Sequence, residues 1–225
     1  VMEGSGSSIG DFGVFGSLLH GLYHPKLSDL DMIVYGGETL KRIRELLQEL
    51  YMDGESKLSN EFEDIKPVEG KRWLFKNISP KEFVWHQRRK MIYGIFHDRK
   101  IKRKIKVEFE PVKKYNEIKN EYSELKRITR EGWIKALLMV EGDSEAPYMP
   151  SVYHVEALEV MEGPKVDDIT RLVSYIEEFR MQAWRGEVIY AEGNLERVET
   201  SRRSYRQITL TYGPRYYEQV IKLAD

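Results

Sequence analysis

Two aspartates separated by one residue are the side chains of this sequence best suited to chemistry. Asp29 and Asp31 stand at the start of an apolar run that ends at Gly36-Gly37. The run Leu30–Tyr35 is predicted to be a β-strand, and residues i and i+2 of a strand project from the same face. Hard divalent cations take oxygen ligands, which carboxylates supply. The pair is therefore a candidate metal site.

A glycine-serine turn upstream is suited to holding phosphates. A short predicted strand, Phe12–Phe15, ends at Gly16-Ser17. Glycine lets the backbone approach a ligand closely, and Ser17 adds a hydroxyl at the start of a short helix, whose positive end attracts anions. Transfer from a nucleoside triphosphate requires neutralised phosphates and an in-line attacking oxygen. Two divalent cations about 3.5–4 Å apart meet both needs.

A third carboxylate is available on a later predicted strand, Lys104–Val112. Glu108 and Glu110 both point away from its apolar face, so strand alternation does not separate them. The alternative interpretation is a surface strand on which these glutamates pair with Lys104 or Lys106. A solvent-facing strand edge with two ordinary carboxylates is likewise the alternative for the aspartates.

These residues form a pattern that is known from one enzyme superfamily. Phe15-Gly16-Ser17, then eleven residues, then Asp29-Leu30-Asp31-Met32 resembles the signature of the polymerase β-like nucleotidyltransferases, and Ser28-Asp29-Leu30-Asp31 is similar to its small prokaryotic-type members. Val107-Glu108-Phe109-Glu110-Pro111 is similar to a Val-Asp-x-x-Pro motif of archaeal tRNA-end-adding relatives. The resemblance covers roughly residues 10–115.

The resemblance implies a role for each residue of the pattern. Gly16, Ser17 and Ser28 would contact the nucleotide. Asp29, Asp31 and Glu108 would be the catalytic residues and would bind two Mg²⁺ or Mn²⁺ ions, with Glu108 favoured over Glu110.

The implied reaction moves a nucleoside monophosphate from a nucleoside triphosphate to a hydroxyl and releases pyrophosphate. RNA or tRNA is the favoured acceptor, with a protein side chain or a small molecule as the second choice. A catalytically inactive module that senses nucleotide or binds nucleic acid is the alternative of another class.

A basic segment precedes the third carboxylate. Residues 88–106 contain nine Lys or Arg against the single acid Asp98. Such a run is usually a solvated hairpin, but its position next to Glu108 makes it a candidate phosphate or acceptor surface. The residues proposed for these contacts are Arg99, Lys100, Lys102 and Arg103.

The surrounding elements predict an α+β core in the first half. Leucine and isoleucine recur at helical spacing over Leu40–Leu50, and Ser79-Pro80-Lys81-Glu82 is a helix start by its capping residues. Met91–His97 is predicted to be a strand that forms a hairpin with Lys104–Val112. A further helix is expected over Tyr115–Leu125.

The second half is predicted to be mostly β. Four strands are expected, and the segment Ile169–Phe179 suits either a helix or a strand. The pattern favours a small, OB-like barrel whose exposed aromatics could stack bases, although residues 126–225 carry a net charge of -3. The expected organisation is a flexible lead-in at 1–10, a nucleotidyltransferase domain at 11–125 and the β domain at 126–225.

Composition limits the remaining classes. The 225 residues carry a formal net charge of -1, which argues against a protein that coats nucleic acid. The sequence has no cysteine, which excludes disulfides and thiolate metal sites. With abundant Lys and Glu, this fits a cytoplasmic protein from a hot environment. No apolar run is long enough for a membrane span, and the sequence leaves the oligomeric state open.

Overall fold

The chain is divided into two compact units. The computed structural model describes residues 1–224. The first unit comprises 1–71 and 80–118, and the second comprises 72–79 together with the chain from Lys119 onward. The expected boundary near residue 126 left 72–79 in the first domain. That segment instead joins the second unit, because the Phe75 ring packs edge-on against Phe179 and Asn77 donates a hydrogen bond to Glu192.

The first unit is built on a five-stranded mixed sheet with three helices. Its strands are β1 (Phe12–Val14), β2 (Leu30–Tyr35), β3 (Leu58–Asn60), β4 (Tyr93–Asp98) and β5 (Arg103–Val112). Its helices are α1 (Gly16–Leu19), α2 (Gly37–Met52) and α3 (Pro80–Arg89). The strand order is β1-β2-β5-β4-β3, in which only the central pair β2–β5 is parallel.

One face of this sheet forms the core of the unit. Val34, Val107 and Phe109 are buried on it. Helix α2 contacts β2 and contributes a buried stripe of Leu40, Ile43 and Leu47, whose spacing matches one side of a helix. Because strand side chains alternate, Asp31, Glu108 and Glu110 point to the other face.

The helix expected over Tyr115–Leu125 is wrong. The structure has only two short 3-10 turns there, Tyr115–Glu117 and Glu121–Glu124. Tyr115, Ile118 and Tyr122, the apolar residues at helical spacing, are exposed. Without a buried face to stabilise it, a short helix is marginal in water.

The second unit contains a closed barrel. Its strands are β6 (Leu125–Glu145), β7 (Ser151–Glu162), β8 (Ile169–Ser174), β9 (Val188–Thr200), β10 (Ser204–Leu210) and β11 (Val220–Leu223). The strand order is β10-β8-β7-β6-β9-β11, and β10 also pairs with β9, which closes a ring of five strands. Only β8 and β10 are parallel.

The barrel interior explains why these segments are strands. Ile134, Leu138, Ile189 and Leu195 alternate along the two longest strands and are fully buried. The ambiguous segment Ile169–Phe179 resolves into strand β8 followed by a 3-10 turn at Glu177–Phe179, because its β-branched residues fill the barrel wall.

The first ten residues are folded into turns. Ser5 donates its N–H to the Val1 carbonyl at 3.0 Å, and Gly4 lies against Leu46 of α2. The sequence alone had indicated a flexible lead-in here. Among residues 1–224, no helix has the length and apolar character needed to cross a membrane.

Candidate active site

The parallel pairing of β2 with β5 brings the predicted carboxylates onto adjacent strands. Asp31 lies directly opposite Glu108, so the two side chains leave the sheet on the same face, while Glu110 lies opposite Ile33. Asp29 immediately precedes β2 and is exposed, whereas Asp31 is partly buried. The pairing therefore places Glu108, rather than Glu110, beside the aspartates.

Gly16 lies against the Asp31 carboxylate. Its φ of +61° is in the left-handed region, and a Cβ built on it would lie 2.3 Å from Asp31 Oδ2. One residue earlier, Phe15 donates its N–H to the Asp31 carbonyl at 3.1 Å. Only glycine fits both the backbone angle and the space. The turn that carries Gly16 and Ser17 is thus fixed beside the predicted metal ligands.

The electrostatics of Asp31 favour a bound cation. Burial raises the pKa of the Asp31 carboxyl above its ordinary value, and the negative charge of Asp29 raises it further. A cation near both groups would relieve the repulsion between them.

The donor set also fits a hard divalent ion, since every candidate ligand is a carboxylate oxygen. Glu108 and Glu110 bring carboxylate oxygens within 4.8 Å of each other. In the described chain, residues 1–224, the oxygens of Asp29, Asp31 and Glu108 are not all within that distance of one another.

Arg103 fixes the loop that leads into Asp29. Its guanidinium donates one hydrogen bond to the Pro25 carbonyl and another, of 2.8 Å, to the Ser28 carbonyl. Ser28 itself caps a turn, because its hydroxyl accepts a hydrogen bond from the His24 N–H at 2.8 Å. These hydrogen bonds to backbone groups hold Arg103 and Ser28 next to the candidate site.

The other three basic residues proposed from the sequence lie elsewhere. Arg99, Lys100 and Lys102 occupy the exposed turn between β4 and β5. Asp98 orders this turn by accepting hydrogen bonds from the backbone N–H groups of Lys100 and Ile101. The side chains at the tip remain free to meet solvent or a ligand.

Comparison with known proteins decides the family. The profile of the nucleotidyltransferase domain matches residues 4–125, more than half of the chain. The chain belongs to this family. The resemblance to polymerase β-like nucleotidyltransferases that the sequence indicated is thereby confirmed, and family membership supports nucleotidyl transfer in general terms.

One curated relative is similar to this chain along nearly its whole length. It is the uncharacterized protein MJ1086 of Methanocaldococcus jannaschii, which is 30% identical over 225 residues, 99% of this chain. The chain spans 62% of that relative's length. No solved structure shows significant similarity to the chain.

Sequence patterns did not indicate the tethering contacts of Arg103. In the sequence, Arg103 is one cation of a basic run and a candidate phosphate contact. Its hydrogen bonds reach carbonyls 75 and 78 residues away. No local pattern encodes that approach, because it depends on how the loop before Asp29 packs beside β5.

Proposed function

We propose that this protein is a metal-dependent nucleotidyltransferase that moves a nucleoside monophosphate from a nucleoside triphosphate to a hydroxyl acceptor. One observation carries the proposal: Gly16 packs on the Asp31 carboxylate, and Glu108 lies directly opposite Asp31 on the adjacent parallel strand. A surface strand edge would not need a glycine with φ +61° packed on its aspartate. The match of the family profile to this segment supports the same chemistry.

In the proposed reaction, the acceptor oxygen attacks the α-phosphorus of the triphosphate. A new P–O bond forms, the bond from the α-phosphorus to the bridging oxygen breaks, and pyrophosphate leaves. The hydroxyl proton passes to Glu108, whose carboxylate acts as the base. Gly16 and Ser17 hold the phosphates through backbone N–H groups and the Ser17 hydroxyl, with Ser28 beside them.

The cations would be Mg²⁺ or Mn²⁺, held by Asp29, Asp31 and Glu108. When bound, they supply charge neutralisation for the triphosphate and activation of the acceptor oxygen. The raised pKa of the Asp31 carboxyl is consistent with a group whose charge needs a counter-ion. RNA or tRNA is the acceptor class that we favour.

We further propose that the second unit is an OB-type barrel. The five strands of the ring are β6 to β10, which we number 1 to 5 in chain order. Around the ring they follow the order 1-2-3-5-4-1, and strands 3 and 5 form the parallel pair. OB-type barrels are five-stranded and bind oligonucleotides through strands 2 and 3 and the adjoining loops. This topology agrees with an RNA acceptor.

The experiment that tests the proposed function combines each labelled nucleoside triphosphate with Mg²⁺ or Mn²⁺ and total cellular RNA or protein. We expect pyrophosphate release and label in the RNA fraction. Asp29→Asn and Asp31→Asn should each reduce turnover about a thousandfold, equivalent to roughly 4 kcal/mol of transition-state stabilisation. Asp167→Asn, at an exposed position of the second unit, is the matched control.

Two outcomes would count against the proposal. Near-parental turnover in either active-site variant would exclude the carboxylates as metal ligands. Binding of nucleotide without pyrophosphate release, across all triphosphates and acceptor fractions, would favour a nucleotide-sensing module.

A further inference from the structure

A positively charged surface adjoins the candidate active site. We define the basic rim as the loop Leu19–Leu27 together with the hairpin tip Arg99–Lys102. The side chains of Arg99, Lys100 and Lys102 are exposed, and within the described residues 1–224 none of them forms an ion pair. The neighbouring strand residue Lys106, by contrast, pairs with Glu61. The tip therefore presents three positively charged side chains without an ion pair, and Asp98 at its base is the one acid of the turn.

The loop half of the basic rim adds apolar and aromatic surface. Leu22 is 79% exposed, Leu27 is 75% exposed and the Tyr23 ring is 54% exposed. The only ionisable groups in this loop other than the tyrosine are His20, His24 and Lys26, so the loop contains no acid. Leu22, Tyr23 and Leu27 thus expose apolar and aromatic surface in a loop without negative charge.

Arg103 joins the two halves and attaches them to the catalytic strand. It follows the hairpin tip directly and donates hydrogen bonds to the carbonyls of Pro25 and Ser28 at the end of the loop. The residue after Ser28 is Asp29. The loop of the basic rim thus ends two residues before a proposed metal ligand, where the acceptor of the proposed reaction would arrive.

We propose that the basic rim binds the single-stranded polynucleotide whose terminal hydroxyl is the acceptor. This inference rests on the proposed function and names the acceptor surface. Phosphates would contact Arg99, Lys100 and Lys102, and a base would stack on Tyr23. Single-strand binding generally combines a cationic track with aromatic platforms, because every base has a stacking face. The exposed Tyr23 ring favours a polynucleotide over an acidic protein segment, because a base has a stacking face, whereas aspartate and glutamate side chains do not.

The first test replaces the three tip cations. In the triple variant Arg99→Gln, Lys100→Gln, Lys102→Gln, the affinity for a labelled single-stranded RNA of about 12 nucleotides is measured without nucleotide or metal. Each lost phosphate contact removes about 0.7 from the slope of log affinity against log salt. We expect the slope to decrease by about 2 and the affinity at about 0.1 M salt to fall roughly 100-fold.

The matched control removes the same net charge from the same unit. Lys41→Gln, Arg42→Gln, Lys71→Gln changes three exposed cations, of which two lie on α2. This variant should keep the RNA affinity within about threefold of the parent and the salt slope nearly unchanged, because the long-range effect of exposed charges is screened. Equal losses in both triple variants would overturn the proposal, since net charge alone would then explain binding.

The second test addresses stacking. Tyr23→Ala should weaken RNA binding about 5- to 150-fold, the range that one stacked base contributes, with little change in the salt slope. Tyr23→Phe should restore binding, because stacking needs only the ring. Failure of Tyr23→Phe to rescue, or unchanged affinity in Tyr23→Ala, would contradict a base platform.

The assay separates the acceptor surface from the proposed catalysis, because it needs no turnover. RNA binding that depends on the rim in a protein without transferase activity would retain the rim as an RNA-binding surface and refute the proposed function. Turnover with no RNA binding by the parent would do the reverse. Loss of triphosphate affinity in the tip variant, with RNA affinity intact, would place the hairpin over the nucleotide. Tighter rim-dependent binding of polyglutamate than of RNA would identify a protein partner, and both of these results overturn the inference.

Discussion

Replacing Gly16 by alanine places a methyl group where the Asp31 carboxylate now lies. The added Cβ would be 2.3 Å from Asp31 Oδ2, whereas ordinary contacts begin near 3.4 Å, so the carboxylate must retreat by about 1 Å. Displacement of a catalytic group by about 1 Å can reduce the rate about 100-fold, or roughly 2.7 kcal/mol. Alanine at φ +61° also costs about 1–2 kcal/mol of folding free energy.

Gly70→Ala separates the two effects. Gly70 has a φ of +72°, and a Cβ there would meet no atom within 4 Å. Both variants should therefore lose the free energy of unfolding that the backbone angle costs, and Gly16→Ala should lose more in urea, because its methyl group also displaces Asp31. Only Gly16→Ala should lose pyrophosphate release and Mn²⁺ affinity, measured by calorimetric titration.

Two results would refute this reasoning. If Gly16→Ala keeps parental turnover and Mn²⁺ affinity, the turn does not position Asp31 for chemistry. If Gly70→Ala loses activity to the same extent, the loss comes from backbone strain and not from the carboxylate. A second-site change to Asp31→Ala in the Gly16→Ala background should recover part of the stability but none of the turnover, since it removes the clash and the ligand together.

Three further predictions follow from the geometry. Glu108→Gln should reduce turnover far more than Glu110→Gln, because only Glu108 lies opposite Asp31; the reverse order in a pyrophosphate assay would show that the other glutamate is the third ligand. The raised pKa of the Asp31 carboxyl means that its charge costs stability above that pKa, and the cost disappears below the unfolded value. Asp31→Asn should thus raise the melting temperature of the metal-free protein at neutral pH but not at strongly acidic pH. The Mn²⁺ affinity of the parent protein should fall as the pH is lowered through the pKa of Asp31. An unchanged melting temperature of Asp31→Asn at neutral pH would contradict this reasoning. Phe75→Ala should destabilise the second unit by about 3 kcal/mol, since the ring packs against the buried Phe179. Chemical denaturation followed by tryptophan fluorescence measures this loss. A loss under about 0.5 kcal/mol would show that segment 72–79 is not part of the core of that unit.

Local patterns were enough to predict the elements that carry the candidate site. Strand β2 has the bounds, Leu30–Tyr35, that alternation and the following glycines predicted. The helix start at Ser79-Pro80 and the β4–β5 hairpin were also predicted, because capping residues and period-two apolar spacing act within a few residues. The spacing of Gly16-Ser17 from Asp29 and Asp31 was sufficient to indicate the family, which the profile match confirmed.

The sequence did not determine which distant residues meet. The parallel pairing of β2 with β5 placed Glu108 rather than Glu110 opposite Asp31, across 77 residues of chain. Alternation gave both glutamates the same face, and only the register distinguishes them. The metal role of Glu108 stays a prediction that the variants above can test.

Tertiary contacts also decided the path of the chain between the units. Residues 72–79 belong to the second unit because Phe75 packs against an aromatic partner there. The segment around Tyr115 is not a helix, because its apolar residues are exposed and give a helix no buried face. The pairings of β8 with β10 and of β6 with β9 likewise join strands that are distant in sequence, and they form only when the barrel is assembled. Propensity and periodicity report what a segment can form alone, whereas burial depends on the surfaces that other segments bring to it.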